Sequence, residues 1–361
     1  MDKTAMARLF RGLVQRYFSD DEAVMLFVLL LLATTVIMIF GAMLTPVFAG
    51  MMLAFALQGT VSWLERHGVS HILSVSLVFT LFMAVLMVVL LLLLPLVWNQ
   101  GVNLLNELPR MVARGHLLLN ELPKQFPGFI SEAQISVWIR TASGQVANLG
   151  QWIVSFSLSR ISGVVGLLIY LVLVPILVFF FLKDRKELLE WCSSMLPKER
   201  RMLKQVSREM NQQIANYIRG KVIEIVIVGL VTFVAFAFLG LNYAALLGLL
   251  VGLSVLIPYI GAATVTIPVA AIGLFQWGTG HDFIIMMTVY GIIQALDGNV
   301  LVPLLFSEAV NLHPIAIIVA VLLFGGLWGF WGVFFAIPLA TLVKAIINAW
   351  PGGEGATTVD V

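Results

Sequence analysis

Long apolar runs alternate with short polar interruptions along this chain. Runs close to the ~20 mainly apolar residues that cross a bilayer as a helix recur at Ala23 to Leu44, Pro46 to Trp63, Ile72 to Trp98, Trp152 to Leu182, Val222 to Leu241, Tyr243 to Trp277, Phe283 to Phe306 and Ile315 to Ile347. This pattern predicts an all-α, polytopic membrane protein of about eight transmembrane segments, some long enough to be broken into two halves. The division expected from it is a cytoplasmic amphipathic segment over 1–22, three spans over 23–98, extracytoplasmic interfacial helices over 99–151, a span over 152–182, a basic cytoplasmic segment over 183–221, a core over 222–350 and a tail over 351–361.

Two polar stretches carry helical periodicity. In the first, LLNELP occurs at 104–109 and again at 118–123, fourteen residues apart. Matching leucines would share a face of one helix, but Pro109 argues for two short helices lying at the membrane surface. They would cover the bundle or, as the alternative, gate it. In the second, Leu203, Val206, Met210, Ile214 and Tyr217 form a stripe, with Arg201, Lys204, Gln205 and Arg208 facing away. Such a stripe packs on neighbouring helices or on anionic headgroups.

Composition removes the soluble alternatives. Hydrophobic residues make up 60% of the chain and charged ones 11%, with a mean hydropathy of +1.02, far beyond the roughly 45–50% apolar content of soluble domains. The net charge of +2 is uninformative, but ten of the 21 Lys and Arg fall between Lys183 and Lys221. The positive-inside rule places that block, and the N-terminus with Lys3, Arg8, Arg11 and Arg16, in the cytoplasm. No cleavable signal peptide is evident, and the single cysteine, Cys192, excludes an intramolecular disulfide.

Candidate chemistry lies after Lys221. QALDGNVLVP at 294–303 places Asp297, Gly298 and Asn299 within an apolar run, where an Asp costs ~2.5–3.5 kcal/mol and marks a cavity or a partner. LSVLIPYIGAATVTIPVA at 253–270 holds Pro258, Gly261 and Pro268 in one run. Broken backbone at membrane depth is tolerated where it is buried in protein or lines a wet cavity, and paired breaks mark transporter sites. The expected pathway residues are therefore Pro258, Tyr259, Gly261, Gln294, Asp297, Gly298 and Asn299. A simpler reading makes Asp-Gly-Asn only the cap of a half-helix starting near Val300. Glu224 either pairs with Lys221 or Arg219 or contributes to coupling, as do Glu308 and His313 in SEAVNLHP, where a membrane-edge turn with His313 as a cap is the plainer alternative. Gly248-xxx-Gly252 and Gly325-xxx-Gly329 permit close helix crossings, while Trp328 and Trp331 suit an interfacial belt or a subunit contact.

Enzyme signatures are missing: there is no His-Glu-x-x-His, no Gly-x-Ser-x-Gly and no phosphate-binding Gly-x-x-x-x-Gly-Lys-[Ser/Thr]. No enzymatic activity, cofactor, metal site or nucleic-acid partner is expected. Transport, if active, would draw on an ion gradient.

FFFLKDR at 179–185, NYIRGK at 216–221, IPYIGA at 257–262, QALDGN at 294–299, NLHP at 311–314 and FFAIPLA at 334–340 together resemble the autoinducer-2 exporter family, closest to its PerM-type permease branch. The resemblance implies a multi-pass bacterial inner-membrane transporter with broken or re-entrant helices in its C-terminal half. It also implies a homo-oligomer, with a pentamer as one candidate, and puts the family's Pro-Tyr-x-Gly and Asp-x-Asn positions on Pro258, Tyr259, Gly261, Asp297 and Asn299. Members are linked to export of autoinducer-2 or to sodium or lithium efflux against protons. The leading expectation is a secondary-type transporter or facilitator exporting a small polar solute, with membrane lipid as its surroundings. The alternatives are a monovalent cation/proton antiporter and, from another class, a non-transporting membrane scaffold.

Overall fold

The computed structural model of the chain describes residues 21–125, 144, 161–195, 201–258, 260–306 and 312–349. Among them every regular element is helical. In chain order these are α1 (Asp21–Arg66), α2 (His71–Val88), a π-helical turn (Val89–Leu93), α3 (Leu94–Gln125), α4 (Ile161–Lys183), α5 (Arg185–Ser194), α6 (Arg201–Phe238), α7 (Ala244–Ser254), α8 (Ile260–Trp277) and α9 (His281–Leu296). A second π-helical turn (Asp297–Leu301), α10 (Val302–Phe306), α11 (Pro314–Phe334) and α12 (Ala336–Ala349) complete the order. Seven stretches among the described residues are long and apolar enough to cross a membrane. Large apolar side chains face outward along them, among them Phe238 at 89% and Met43 at 78% exposure, which suits lipid as the surrounding solvent.

Prolines explain several departures from the expected element ends. The turn anticipated near residues 44–46 is absent, because α1 runs continuously through Pro46. Pro46 removes one ladder bond, and the Thr45 hydroxyl donates to Gly41 O at 3.1 Å in the same turn. The interfacial pair of short helices expected over 99–151 is corrected over its described part: α3 is one helix that passes through Pro109 and extends the third apolar run. Pro109 is exposed, with the charged Glu107 and Arg110 close to it in the chain, and Leu104 of the first LLNELP copy packs on buried core. The side chains of the second copy lie outside the described residues.

The helices form two compact units. One comprises residues 1–79, 174–222 and 302–361, and the other residues 80–173 and 223–301. In the first, α1 and α4 cross at Gly50, where a Cβ would come within 2.8 Å of the Leu177 Cβ. The expected stripe on α6 is buried there at Val206, Met210 and Tyr217, and Leu203 packs on Leu26. Tyr217 sits between Phe306 and Phe334 and donates to Phe334 O at 2.9 Å. His71 joins the α1–α2 turn to the end of α4, with Nδ1 2.6 Å from Glu65 Oε1 and Nε2 2.9 Å from Lys183 O. That turn therefore lies at the same end of this unit as the start of the basic stretch.

The second unit has one continuous core, with Phe236, Leu247, Val251, Val269, Met286 and Tyr290 at its centre. Gly248 and Gly252 of α7 cross α6 at Gly229, close enough that a Cβ on Gly252 would stand 2.8 Å from Ile225 O. The expected close crossing at the first small-residue pair is thus present. The second pair does something else. α11 folds back at Gly329, whose φ of 59° and ψ of −132° only glycine adopts readily. Phe324 and Gly332 would stand ~12 Å apart in a straight helix; here a Cβ on Gly332 would lie 1.8 Å from Phe324 O.

Candidate functional site

The site is built on the hairpin of α8 and α9 in the second unit. The two helices run antiparallel: Gly273 abuts Met286, and further along Thr266 Oγ1 lies 2.9 Å from Tyr290 Oη. That register, continued, sets Gln294 level with Ala262 and Ala263, and Asp297 level with the break between α7 and α8. Tyr290, Gln294 and Asp297 are spaced i, i+4 and i+7 on α9, so they share one helix face. Tyr290 is buried and Gln294 and Asp297 are half-buried. Gln294 Nε2 is fully enclosed and has no hydrogen-bond acceptor among the described residues.

At the break, backbone bonds close short turns instead of helix. Leu256 N donates to Leu253 O at 3.2 Å, Ile257 N to Ser254 O at 3.1 Å and Ile260 N to Pro258 O at 2.7 Å. α8 then starts with Gly261 folded against the end of α7: a Cβ on Gly261 would lie 1.7 Å from Ser254 O. In a straight helix these residues would stand ~10 Å apart. Glycine is required at 261 for space, and Pro258 half-buries beside it. Pro268 sits inside α8 without breaking it. Tyr259 lies outside the described residues.

The second expected break is corrected. Asp-Gly-Asn neither interrupts the helix nor caps a new half-helix near Val300; α9, the π turn 297–301 and α10 follow one another directly, and Asp297 is helical at φ −58°, ψ −60°. Gly298 has helical neighbours, an exposed surface and open space where a Cβ would stand. Both π turns end two residues before a proline, Leu93 before Pro95 and Leu301 before Pro303. A proline cannot donate and its ring pushes away the carbonyl four residues back; a turn one residue wider accommodates this. Asn299, four residues before Pro303, donates from Nδ2 to Ala295 O at 2.8 Å, one turn back on the same helix.

Glu224 is more buried than pairing near a membrane edge requires, at 2% exposure. It precedes Ile225, whose carbonyl faces Gly252 in the last part of α7, so it lies level with the approach to the break. Arg219 is occupied elsewhere, donating to Ala215 O and to Asn216 Oδ1. Lys221 is buried, with its ammonium 5.3 Å from the centre of the Phe306 ring. His313 caps α11, accepting from Ile315 N at Nδ1; Glu308 lies outside the described residues. Sequence reasoning missed three contributors. Tyr290 and Thr266 form a part-buried hydroxyl pair, Tyr290 being legible from the i, i+4, i+7 spacing once Gln294 and Asp297 are placed on a helix, and Pro303 follows the π turn.

Chemically, this end of the unit offers a donor at Gln294, carboxylates at Asp297 and Glu224, and carbonyls of a short-turned backbone. Among the described residues no three His, Cys, Asp or Glu side chains cluster as a metal site. Such a set can bind a hydrogen-bonding solute or hold a monovalent cation or proton.

Comparison with known proteins agrees with a transport role. Residues 26–352 match the model of the family described as AI-2E family transporter. The chain is 46% identical to the PerM permease of Escherichia coli (strain K12) over 340 residues, which is 94% of this chain and 96% of that protein. It is 28% identical over 346 residues to the transport protein YueF of Bacillus subtilis (strain 168), covering 89% of this chain and 90% of YueF. A match across nearly all of the apolar runs, together with relatives named as permease and transport protein, places this all-α membrane chain in the AI-2E transporter family.

Proposed function

We propose that the chain is a secondary-type transporter or facilitator that exports a small polar solute such as autoinducer-2 through the region around Pro258 and Asp297. One observation carries this reading: the enclosed Gln294 amide has a donor without an acceptor among the described residues, on the helix face that also bears Asp297. Leaving a buried donor unmade costs about 1–3 kcal/mol, so the position is suited to a group that arrives with the solute. Neither phosphate-loop nor nucleophile signatures supply another energy source or an enzymatic role, so transport runs downhill or on an ion gradient. The basic stretch 183–221 is assigned to the cytoplasm of a bacterial inner membrane, and the working form to a homo-oligomer.

A monovalent cation/proton antiporter is the second reading, favoured by the burial of Glu224, since a carboxylate at that depth must pair, coordinate or protonate. The test is efflux from proteoliposomes of labelled autoinducer-2 precursor and of sodium, with and without an imposed pH gradient, for wild type and Asp297→Asn. Solute efflux that survives Asp297→Asn but fails in Gln294→Met supports the polar-solute reading. Sodium efflux whose gradient dependence vanishes in Asp297→Asn supports the antiporter. Equal inertness of wild type towards both solutes sinks both readings and favours a scaffold.

A further inference from the structure

The second unit holds another polar cavity, remote in the chain from the break and used by none of the chemistry above. It encloses about 570 Å³. Glu107 and Arg110 enter it from α3, Tyr243 from the α6–α7 turn, and Ile272 and Phe275 from α8. The turn is specially built. Tyr243 has φ 62°, the sole non-glycine residue with positive φ among the described ones, and such a conformation persists only where its surroundings over-determine it. Gln276 does this: its Oε1 accepts from Asn242 N at 2.8 Å and its Nε2 donates to Gly240 O at 2.7 Å.

The fixed tyrosine then meets the charged wall. Its hydroxyl donates to the Glu107 carboxylate, and burial first, with that bond second, pushes its pKa up to about 12, so it stays a neutral donor. Glu107 and Arg110 stand one helical turn apart, a spacing that puts Cβ atoms ~5–6 Å from each other. They nevertheless form no ion pair with one another. An acidic and a basic side chain thus line one cavity without pairing with each other, beside the apolar surfaces of Phe275 and Ile272. The Gln276 amide, which would otherwise serve a neutral polyol, is committed to the turn.

We propose that this cavity binds a small zwitterionic solute, with its ammonium at Glu107, its carboxylate at Arg110 and its apolar part against Tyr243 and Phe275. A planar guanidinium takes a carboxylate through two parallel hydrogen bonds, and an aromatic face attracts a cation, so both ends of the ligand find a matched group. The proposal does not depend on the site at Asp297.

Equilibrium dialysis of the detergent-purified full chain against radiolabelled glycine betaine, L-glutamine and sorbitol tests it. Saturable binding of at least one zwitterion and none of sorbitol is expected. Glu107→Gln and Arg110→Gln, both at exposed positions, should each weaken that binding at least tenfold, while Asp297→Asn leaves it unchanged. Absence of saturation by both zwitterions, equal binding of sorbitol, or undiminished affinity in both charge variants overturns the proposal. Size-exclusion elution and Tm of each variant establish that it is folded, and Tyr243→Phe, which keeps the ring but removes the donor to Glu107, should retain zwitterion selectivity. Loss of transport in Asp297→Asn with this binding intact separates the two sites.

Discussion

Gly261→Ala is the perturbation for which the structure gives the clearest magnitude. The new methyl would stand 1.7 Å from Ser254 O, 2.7 Å from Ser254 C and 3.2 Å from Ser254 Cα. A carbon and a carbonyl oxygen ordinarily settle at ~3.3–3.6 Å, so the end of α7 must retreat by roughly half that distance. The obstacle is backbone, which no rotamer change can relieve. Ser254 O also accepts from Ile257 N at 3.1 Å, and moving it gives up a bond worth about 0.5–1.5 kcal/mol on top of the ~1–3 kcal/mol typical of overpacking. The expected loss is therefore about 2–4 kcal/mol, concentrated at the break. Gly298→Ala is the internal control: its Cβ meets nothing within 4 Å and its backbone is helical, so a gain of about 0.5–1 kcal/mol from reduced backbone freedom is expected. Thermal unfolding of both variants in the same detergent, read by tryptophan fluorescence, with efflux measured in parallel, distinguishes them. A Gly261→Ala protein that melts with wild type, or a Gly298→Ala protein that melts far below it, would refute the assignment of the first position as a packed reversal and the second as an open helical site. Gly332→Ala makes the same demand of Phe324 in the other unit, with 1.8 Å to its carbonyl oxygen, and should behave like Gly261→Ala.

Three further outcomes follow, two from the site and one from the cavity at Tyr243. Pro303→Ala restores a backbone donor and removes a residue costing up to about 3 kcal/mol in a helix interior; Tm should hold or rise while efflux falls, as the π turn narrows and re-aims Asp297, and unchanged efflux would break the link between turn and transport. Gln294→Met keeps the side chain's length and deletes the enclosed donor, so stability should be unchanged or higher with efflux at least tenfold lower; a destabilised but active variant would make Gln294 a structural residue. Tyr243 should be the tyrosine whose 295 nm signal appears only near pH 12 and disappears in Tyr243→Phe. Because its folded pKa lies above the ordinary value near 10, the stability it contributes is present below pH 10 and is lost as pH rises through about 12.

How far the sequence led depends on what kind of constraint each residue obeys. The apolar runs place nearly every helix, because lipid tolerates few alternatives to helical backbone. Pro258 and Gly261 were legible because two helix-unfriendly residues stand together in one run. Five other prolines tell a different story: Pro46, Pro109, Pro175 and Pro268 are carried inside helices, and Pro303 follows a widened turn. Whether a proline breaks a helix depends on whether its orphaned carbonyl finds a donor or a polar surface, which is tertiary information.

The same distinction accounts for Gly298 and Gly329. Gly298, expected at a break, is helical, whereas Gly329, expected only at a close helix crossing, takes a conformation that needs glycine and lets the chain reverse so that Gly332 meets Phe324. At Gly298 the change of helical pitch comes from Pro303, five residues later, and the glycine leaves an open surface beside Asp297. This shifts what the polar triplet does. The helix stays hydrogen-bonded through the π turn, so Asp297 rides on an intact α9 at the level of the α7–α8 break, with its helix face continued by Gln294 and the part-buried Tyr290–Thr266 pair. One continuous helix facing one broken one confines the short-turned backbone to a single side of the site. Under the proposed function, a solute or ion there would meet side-chain donors and acceptors from α9 and the short-turned main chain of the break, a division of labour that Gln294→Met and Gly261→Ala perturb separately.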